Sequence, residues 1–181
     1  MALKATIYKA ELALADIDHN RYGDHSLTIA RHPSETDERM MVRLLAFALH
    51  AGERLAFGRG LSSDDEPDLW QKDLTGAIEL WIDVGLPDER SLRRACGRAA
   101  RVLVYSYGGR VADLWWEQNG AKLARCENLT VVNLPLASSR ALAGLARRNM
   151  DLNCTIQEGQ LWLASADERL LIERVPLKTG C

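Results

Sequence analysis

The alternation of apolar and polar residues opens the chain with two predicted strands and a helix. A long strand is predicted over Ala5–Ile17 and a second over Asp24–Ala30, joined by a polar turn cluster, so the chain begins with a β-hairpin. Apolar residues at helical spacing then predict a helix that is capped by Ser34 and ends near His50, ahead of Gly52. The predicted inward stripe of this helix is Met41, Leu44, Leu45 and Ala48.

Strands and helices follow one another over the rest of the chain. The apolar run Val102–Tyr107 is typical of a buried strand, and the helix before it makes a strand parallel to Ile78–Val84 the expected arrangement. Met150–Ile156 and Leu161–Ala164 flank a Glu-Gly turn, and a final strand over Leu170–Pro176 completes a C-terminal β-meander. The remaining predicted elements are strands at Leu55–Phe57 and Leu129–Leu134, and helices at about Glu89–Arg101, Val111–Arg125 and Ser138 or Ser139 to Arg147. This pattern predicts one α/β domain (α+β, mixed sheet) over residues 1–181, without internal repeats.

The stretch from Glu66 to Gly85 is predicted to be the central β-hairpin. A turn over Thr75-Gly76, or a four-residue loop from Leu74 to Ala77, gives the same register. In that register the facing pairs are Leu74 with Ala77, Lys72 with Glu79, Trp70 with Trp81, and Asp68 with Asp83. The last three pairs share one face, while the opposite face is apolar and is expected to lie on the core. The residues of that apolar face are Leu69, Ile78, Leu80, Ile82 and Val84.

Two acids therefore meet at the open end of this hairpin. Like charges that face each other destabilise a sheet. If Asp68 lies opposite Asp83, their repulsion must be compensated by a metal ion, an Arg or Lys, or a shared proton. The alternative is a pair of solvated carboxylates that point apart at the end of the sheet. A Lys72–Glu79 ion pair across the strands is the expected role of those two side chains.

Composition and charge describe an ordinary globular protein. The chain has 181 residues, 47% of them apolar, and a net charge of −2, so no overall basic field favours nucleic acid and any such contact must come from a local patch. The four cysteines form no CxxC and indicate reduced thiols rather than a disulfide frame or a zinc site. Without an apolar run that could serve as a signal or a membrane span, the sequence predicts a cytoplasmic protein of bacterial type with no membrane partner.

The hairpin and its acids carry a resemblance to known families. Pro67-Asp68, the turn, and an apolar strand that ends in Asp83-Val84-Gly85 resemble the PD-(D/E)XK nuclease core. Over nearly its entire length the chain is similar to the YaeQ family, which implies an α/β fold on a variant of that core and no settled activity. The matching motifs are Met1–Ala10, Ala30–Thr36, Glu38–Met41, Gly60–Pro67, Leu80–Ile82, Gly85–Arg90 and Trp115-Trp116.

This resemblance implies a set of candidate site residues. Asp68 and Asp83 would bind Mg²⁺ or Mn²⁺, with Glu38 from the first helix as a third carboxylate or, alternatively, as an acid that suits the helix dipole. Gly85 stands where the nuclease motif has its catalytic Lys, and Arg94, with Arg93 in reserve, is the cation chosen to replace it.

Two groups of side chains are candidates for contact with nucleic acid. Arg90, Arg93 and Arg94 lie on one helix and offer a basic face, unless that face is simply solvated. Trp70 and Trp81 are predicted to stack across the hairpin, either as a platform for bases or as packing.

Two functions follow from these candidates. One is a divalent-metal-dependent phosphodiesterase or nuclease; the other is a non-catalytic protein that keeps the scaffold and binds nucleic acid or a protein partner. Neither the substrate nor the protein partner can be read from the residues.

Overall fold

The computed structural model describes residues 4–181, which form an α+β fold in two units. The first unit comprises the described residues up to Ala48 together with Ala137–Glu173, and the second comprises Leu49–Leu136 and Arg174–Cys181. The strands are β1 (Thr6–Asp16), β2 (Arg21–Arg31), β3 (Leu55–Phe57), β4 (Leu69–Lys72), β5 (Ile78–Val84), β6 (Ala99–Tyr107), β7 (Leu129–Leu134), β8 (Asn149–Gln157), β9 (Gln160–Ala164), β10 (Arg169–Ile172) and β11 (Val175–Lys178). The helices are α1 (Asp37–His50), α2 (Glu89–Arg98), α3 (Arg110–Leu123) and α4 (Leu136–Gly144). The single domain over residues 1–181 stays a prediction, and Met1–Leu3 lie outside the described residues.

The first unit is built on a mixed sheet in the order β10-β9-β8-β1-β2. β1 is antiparallel to β2 and parallel to β8, and buried residues alternate with exposed ones along both β1 and β8. One face of this sheet therefore lies on a core and the other faces water. The predicted N-terminal hairpin and the meander β8-β9-β10 are both present.

Helix α1 is more deeply buried than its predicted stripe. Residues 40–49 are all buried, among them Arg43, whose guanidinium binds the Glu35 carboxylate at 2.5 Å and the Ala30 carbonyl at 3.0 Å. The predicted Ser34 cap is wrong: Thr36 Oγ1 accepts the amide of Arg39 and caps the helix. The Ser34 hydroxyl instead contacts the His32 ring at 2.6 Å.

The second unit contains a mixed sheet in the order β11-β7-β6-β5-β4-β3. β5, β6 and β7 are parallel, as the sequence predicted for β5 and β6. The core cluster of this unit gathers side chains of α2, α3 and the parallel strands. Its buried members are Trp81, Leu92, Ala95, Ala99, Val102, Val104, Trp115, Leu123, Leu129 and Val131.

Several predicted boundaries are corrected by the structure. The predicted strand Leu170–Pro176 is two strands in different sheets, because the Glu173 amide donates to Ser138 Oγ and interrupts the ladder. The helix predicted to reach Arg101 ends at Arg98, where Asn128 Nδ2 binds the Ala99 carbonyl at 3.0 Å.

Helix α4 also differs from its predicted limits. It begins at Leu136 and ends at Gly144, so Ser138 and Ser139 lie within it and are buried rather than capping its start.

Candidate functional site

The central hairpin forms between β4 and β5, with one irregularity that the sequence did not predict. Trp70 faces Trp81 as expected, but the ladder shifts by one residue between Gln71 and Lys72, so Lys72 faces Ile78. The predicted Lys72–Glu79 pairing is therefore wrong. A β-bulge accounts for it, because one extra residue on β5 displaces the facing pairs.

Glu79 and Lys72, which do not face each other, contact other side chains instead. Gln71 donates to the Glu79 carboxylate at 2.7 Å, and Arg54 pairs with the same carboxylate at 3.1 Å. The Lys72 ammonium lies 3.8 Å from the centroid of the Trp70 ring, a cation–π contact. Of the predicted apolar face, Leu69, Leu80, Ile82 and Val84 are buried, whereas Ile78 packs against the core cluster that also contains Trp81.

Asp68 is held by the loop that precedes β4. The Asp68 carbonyl accepts the amide of Gly58 at 2.9 Å, and the Pro67 carbonyl accepts the amide of Gly60 at 3.2 Å. These two bonds fold the Gly58–Glu66 loop back onto the start of the strand. The backbone at Asp68 is therefore fixed on the side that faces this loop.

The Asp68 carboxylate is buried, with 2% of the residue exposed. Its Oδ2 accepts the backbone amide of Val84 at 2.8 Å, which ties the start of β4 to the end of β5. A Cβ added at Gly60 would lie 2.5 Å from Oδ1 of Asp68, so only a glycine leaves room for this carboxylate. Neither Gly60 nor the Val84 amide was a predicted partner, since each contact depends on how the loop folds.

Asp83 lies near the end of β5, on the same face of the strand as Trp81. Its Oδ2 accepts the indole Nε1–H of Trp81 at 3.0 Å, a contact between residues two apart in a strand. Because the last ladder pair is Leu69 with Ile82, Asp68 and Asp83 occupy neighbouring strand ends at the open end of the hairpin, as predicted.

The two tryptophans of the hairpin meet edge to face. Their ring centroids are 6.2 Å apart and the ring planes are inclined by 83°. Trp81 is buried in the core cluster and Trp70 is half-buried. Burial leaves the Trp81 ring no face for a base, so packing is the role this geometry favours for that residue.

The position of Gly85 is open. Gly85 has a φ of +101°, and no heavy atom outside its chain neighbours lies within 4 Å of an added Cβ. Its amide donates to the Tyr105 carbonyl at 2.9 Å, which joins this residue to β6.

Helix α2 begins four residues after Gly85 and carries the arginines. Asp88 caps it, since Oδ1 accepts the Ser91 amide at 2.9 Å, and this bonding holds the pKa of Asp88 below its usual value. Arg93 pairs with Glu89 at 2.7 Å, whereas Arg90 and Arg94 are exposed.

The arginine of α2 that contacts the central hairpin is Arg98. Its guanidinium carbon lies 5.0 Å from the centroid of the Trp81 ring, the ring whose indole binds Asp83, and one guanidinium nitrogen donates to the Asp65 carbonyl at 3.0 Å. Arg98 was not among the predicted site residues, although its position four residues after Arg94 puts it on the same side of the helix and could have indicated it.

Glu38 belongs to the first unit. It lies in the first turn of α1, and its carboxylate accepts the Ser139 hydroxyl at 3.2 Å. Among residues 4–181, no group of three or more His, Cys, Asp and Glu side chains is arranged to hold a metal ion. The metal-binding roles of Asp68, Asp83 and Glu38 stay predictions.

Comparison with known proteins identifies the family. The model of the YaeQ protein family matches residues 1–174. An uncharacterized YaeQ protein of Salmonella typhi is 50% identical over 173 residues, which are 96% of each chain, and one of Escherichia coli K12 is 49% identical over 170 residues, which are 94% of each chain.

Solved structures of YaeQ proteins are also similar to this chain. The crystal structure of a YaeQ protein from Xanthomonas axonopodis is 45% identical, with a TM-score of 0.93 over 97% of this chain and 99% of that one. A Pseudomonas syringae YaeQ structure is 37% identical, with a TM-score of 0.92 over 97% of both chains. None of the helices in the described part is long and apolar enough to cross a membrane. The chain belongs to the YaeQ family.

Proposed function

We propose that this protein binds nucleic acid through backbone phosphates along helix α2 and does not cleave it. The main observation behind this proposal is a row of exposed arginines four residues apart on α2. They are Arg90, Arg94 and Arg98, and we call this surface the α2 arginine face. Residues four apart on a helix lie about 6 Å apart along its axis and point to one side. Guanidinium groups spaced in this way suit successive phosphate groups.

The local charge of this segment supports the proposal despite the net charge of −2. Between Glu89 and Arg101 the chain carries five arginines and a single acid, Glu89, which is already paired with Arg93. Phosphate contacts dominate the affinity of such proteins and make it fall with salt. Binding of this kind is not specific for sequence, because phosphates carry no base information.

The absence of cleavage in this proposal rests on Gly85 and on the chemistry of arginine. In the resemblance to the nuclease core, a lysine would stand at Gly85. Arginine, as at Arg98 or Arg94, is always charged and binds phosphate well, but it transfers no proton. The nuclease-like scaffold would then hold a ligand without hydrolysing it.

A binding titration with matched variants tests this proposal. Fluorescence anisotropy of labelled single-stranded DNA, duplex DNA and RNA would be measured at several salt concentrations. Three phosphate contacts predict a slope of log K against log salt of about −2 to −3, and Arg90→Ala or Arg94→Ala should each reduce its magnitude by about 0.7–0.9. Arg54→Ala is the control, since it removes the same charge at the closed end of the hairpin. Equal losses in all three variants would contradict the assignment to α2.

A second candidate function is a divalent-metal-dependent phosphodiesterase. The observation that favours it is the pairing of a buried Asp68 with a half-buried Asp83 at neighbouring strand ends. Two carboxylates suit Mg²⁺ or Mn²⁺, which complete their shells with water and substrate phosphate, so the donor chemistry fits such an ion. The ion would bind and polarise a phosphate, and Arg94 stays the predicted cation beside it.

Metal titration and a cleavage assay separate the two functions. Calorimetry with Mn²⁺ would be followed on the wild type and on Asp83→Asn, together with gel analysis of the same nucleic acids. Under the binding proposal no substrate is cleaved with Mn²⁺ or Mg²⁺. Cleavage that disappears in Asp83→Asn would replace the binding proposal with the phosphodiesterase.

A further inference from the structure

Two cysteines from separate segments of the second unit meet beside the core cluster. Cys96 lies in α2, and Cys126 lies just after the end of α3. The two side chains are close neighbours, both residues are half-buried, and both pack against the core cluster. Both are reduced thiols in this structure.

A side chain-to-backbone hydrogen bond holds the two segments against each other. Asn128, two residues after Cys126, donates from Nδ2 to the Cys96 carbonyl at 3.0 Å. The Cys126 amide donates to the Leu123 carbonyl at 3.0 Å, and the Cys126 carbonyl accepts the Leu129 amide at 3.2 Å. The fold therefore holds Cys126 in a turn that Asn128 ties to the backbone of Cys96.

We propose that Cys96 and Cys126 form a reversible dithiol–disulfide pair. The oxidant is a low-molecular-weight disulfide of the glutathione type. The Cys126 sulfur attacks this disulfide and releases one thiol, and the Cys96 sulfur then attacks the Cys126 sulfur of the mixed disulfide and releases the second thiol. The protein loses two protons and two electrons, and the small disulfide takes them up to become two thiols.

The order of these steps follows from the surroundings of Cys96. Burial, and then the neighbouring Cys126, raise the pKa of Cys96 to about 12, and Lys178 opposes them only in part. Cys96 therefore keeps its proton at neutral pH and is a poor first nucleophile. Once Cys126 is bound in a mixed disulfide its sulfur can no longer ionise, and one of the causes that raise the pKa of Cys96 is removed.

Peptide mapping of the oxidised wild-type protein tests the proposal. The reduced protein would be incubated with oxidised glutathione, alkylated and digested with trypsin. Cleavage after arginine separates the peptide 95–98, which holds Cys96, from the peptide 126–140, which holds Cys126. We expect a single disulfide-linked species of these two peptides, which dithiothreitol reverses.

Cys181 supplies the matched control. It is exposed, and its amide donates to the carbonyl of Glu127, the residue after Cys126, at 2.8 Å. Cys181→Ser should leave the link between the peptides of Cys96 and Cys126 unchanged, whereas Cys96→Ser should abolish it. A link from Cys126 to Cys181, disulfide-bonded dimers through Cys181, or no loss of thiols under oxidation would overturn the proposal.

Thermal unfolding gives an independent readout on the wild-type chain. Closing a loop of about 30 residues with a disulfide should raise Tm by roughly 5–10 °C in the oxidised protein. The rise should vanish on reduction and should be absent from Cys126→Ser treated in the same way. An oxidised wild type with an unchanged or lower Tm would show that the fold does not accommodate this bond, and would overturn the proposal.

Discussion

Replacing Gly60 by alanine tests how firmly the fold holds Asp68. A Cβ at Gly60 would lie 2.5 Å from Oδ1 of the Asp68 carboxylate, far inside van der Waals contact. The carboxylate has little room to retreat, because it is buried and its Oδ2 accepts the Val84 amide at 2.8 Å. The substitution therefore forces this hydrogen bond or the Gly58–Glu66 loop to give way.

Two separate costs set the expected magnitude. Alanine at positive φ costs about 1–2 kcal/mol, and loss of a hydrogen bond to a charged group costs about 1.5–3 kcal/mol. Gly60→Ala should therefore lower the free energy of unfolding by about 2.5–5 kcal/mol. Gly76→Ala is the matched control, because Gly76 has a φ of +90° and nothing within 4 Å of an added Cβ. Only the conformational cost of about 1–2 kcal/mol applies there.

Urea unfolding followed by tryptophan fluorescence and circular dichroism measures both losses. The difference between the two variants is the cost of disturbing Asp68, and in an Asp68→Ala background Gly60→Ala should cost no more than Gly76→Ala. Equal losses for the two glycine variants in the wild-type background would refute the close contact between Gly60 and the carboxylate.

Two further predictions concern the first unit. Burial alone would raise the pKa of Asp16, but hydrogen bonds, that from Arg21 first, hold it below 3.8, so its stabilisation is present above about pH 4 and is lost as the pH falls through the folded-state pKa. Asp16→Asn should flatten the acid-induced fall in unfolding free energy measured by urea titrations from pH 3 to 7, and an unchanged slope would contradict this. Arg43→Ala should destabilise by about 3 kcal/mol or more in the same assay, because it leaves the buried Glu35 carboxylate with reduced compensation. Arg39→Ala, which removes the more exposed partner of Glu35, should cost less, and the reverse order would be inconsistent with the burial.

The periodic pattern predicted most of the elements because apolar spacing is a local property. The pairing of Trp70 with Trp81 follows from this spacing and the position of the turn, and the parallel alignment of β5 and β6 follows from the helix predicted between them. The bulge at Gln71 could not follow from it, since a ladder shift is decided by partners such as Arg54 that come from elsewhere in the chain.

Specific side-chain contacts, rather than the apolar pattern, decided the elements that were predicted incorrectly. Leu170–Pro176 has uniform strand character, so its division between two sheets depends on the contact of Glu173 with Ser138. Ser34 and Thr36 are both good capping residues, and the one that caps α1 is settled by the contact of Ser34 with His32. Local propensity does not distinguish between such alternatives.

In the candidate site, too, some features could be predicted from the sequence and others could not. The sequence placed Asp68 and Asp83 on adjacent strand ends, because the register of a hairpin follows from its turn and its pattern. The donors to these carboxylates could not be predicted in that way. Val84 offers a backbone amide, which any residue has, and Trp81 donates to Asp83 through a side chain that the pattern assigned to packing or stacking.

These contacts change what the two acids imply about function. Asp68 joins the ends of β4 and β5 through the Val84 amide, so a carboxylate at this position has a structural role that needs no metal ion. The same is true of Asp83 and the Trp81 indole. Arg90 and Arg94 differ from the two acids, because both are exposed and neither side chain has a hydrogen bond or ion pair described among residues 4–181. The proposal of a phosphate ligand therefore rests on these exposed arginines of α2, because guanidinium groups bind phosphate well, and it does not rest on the two acids.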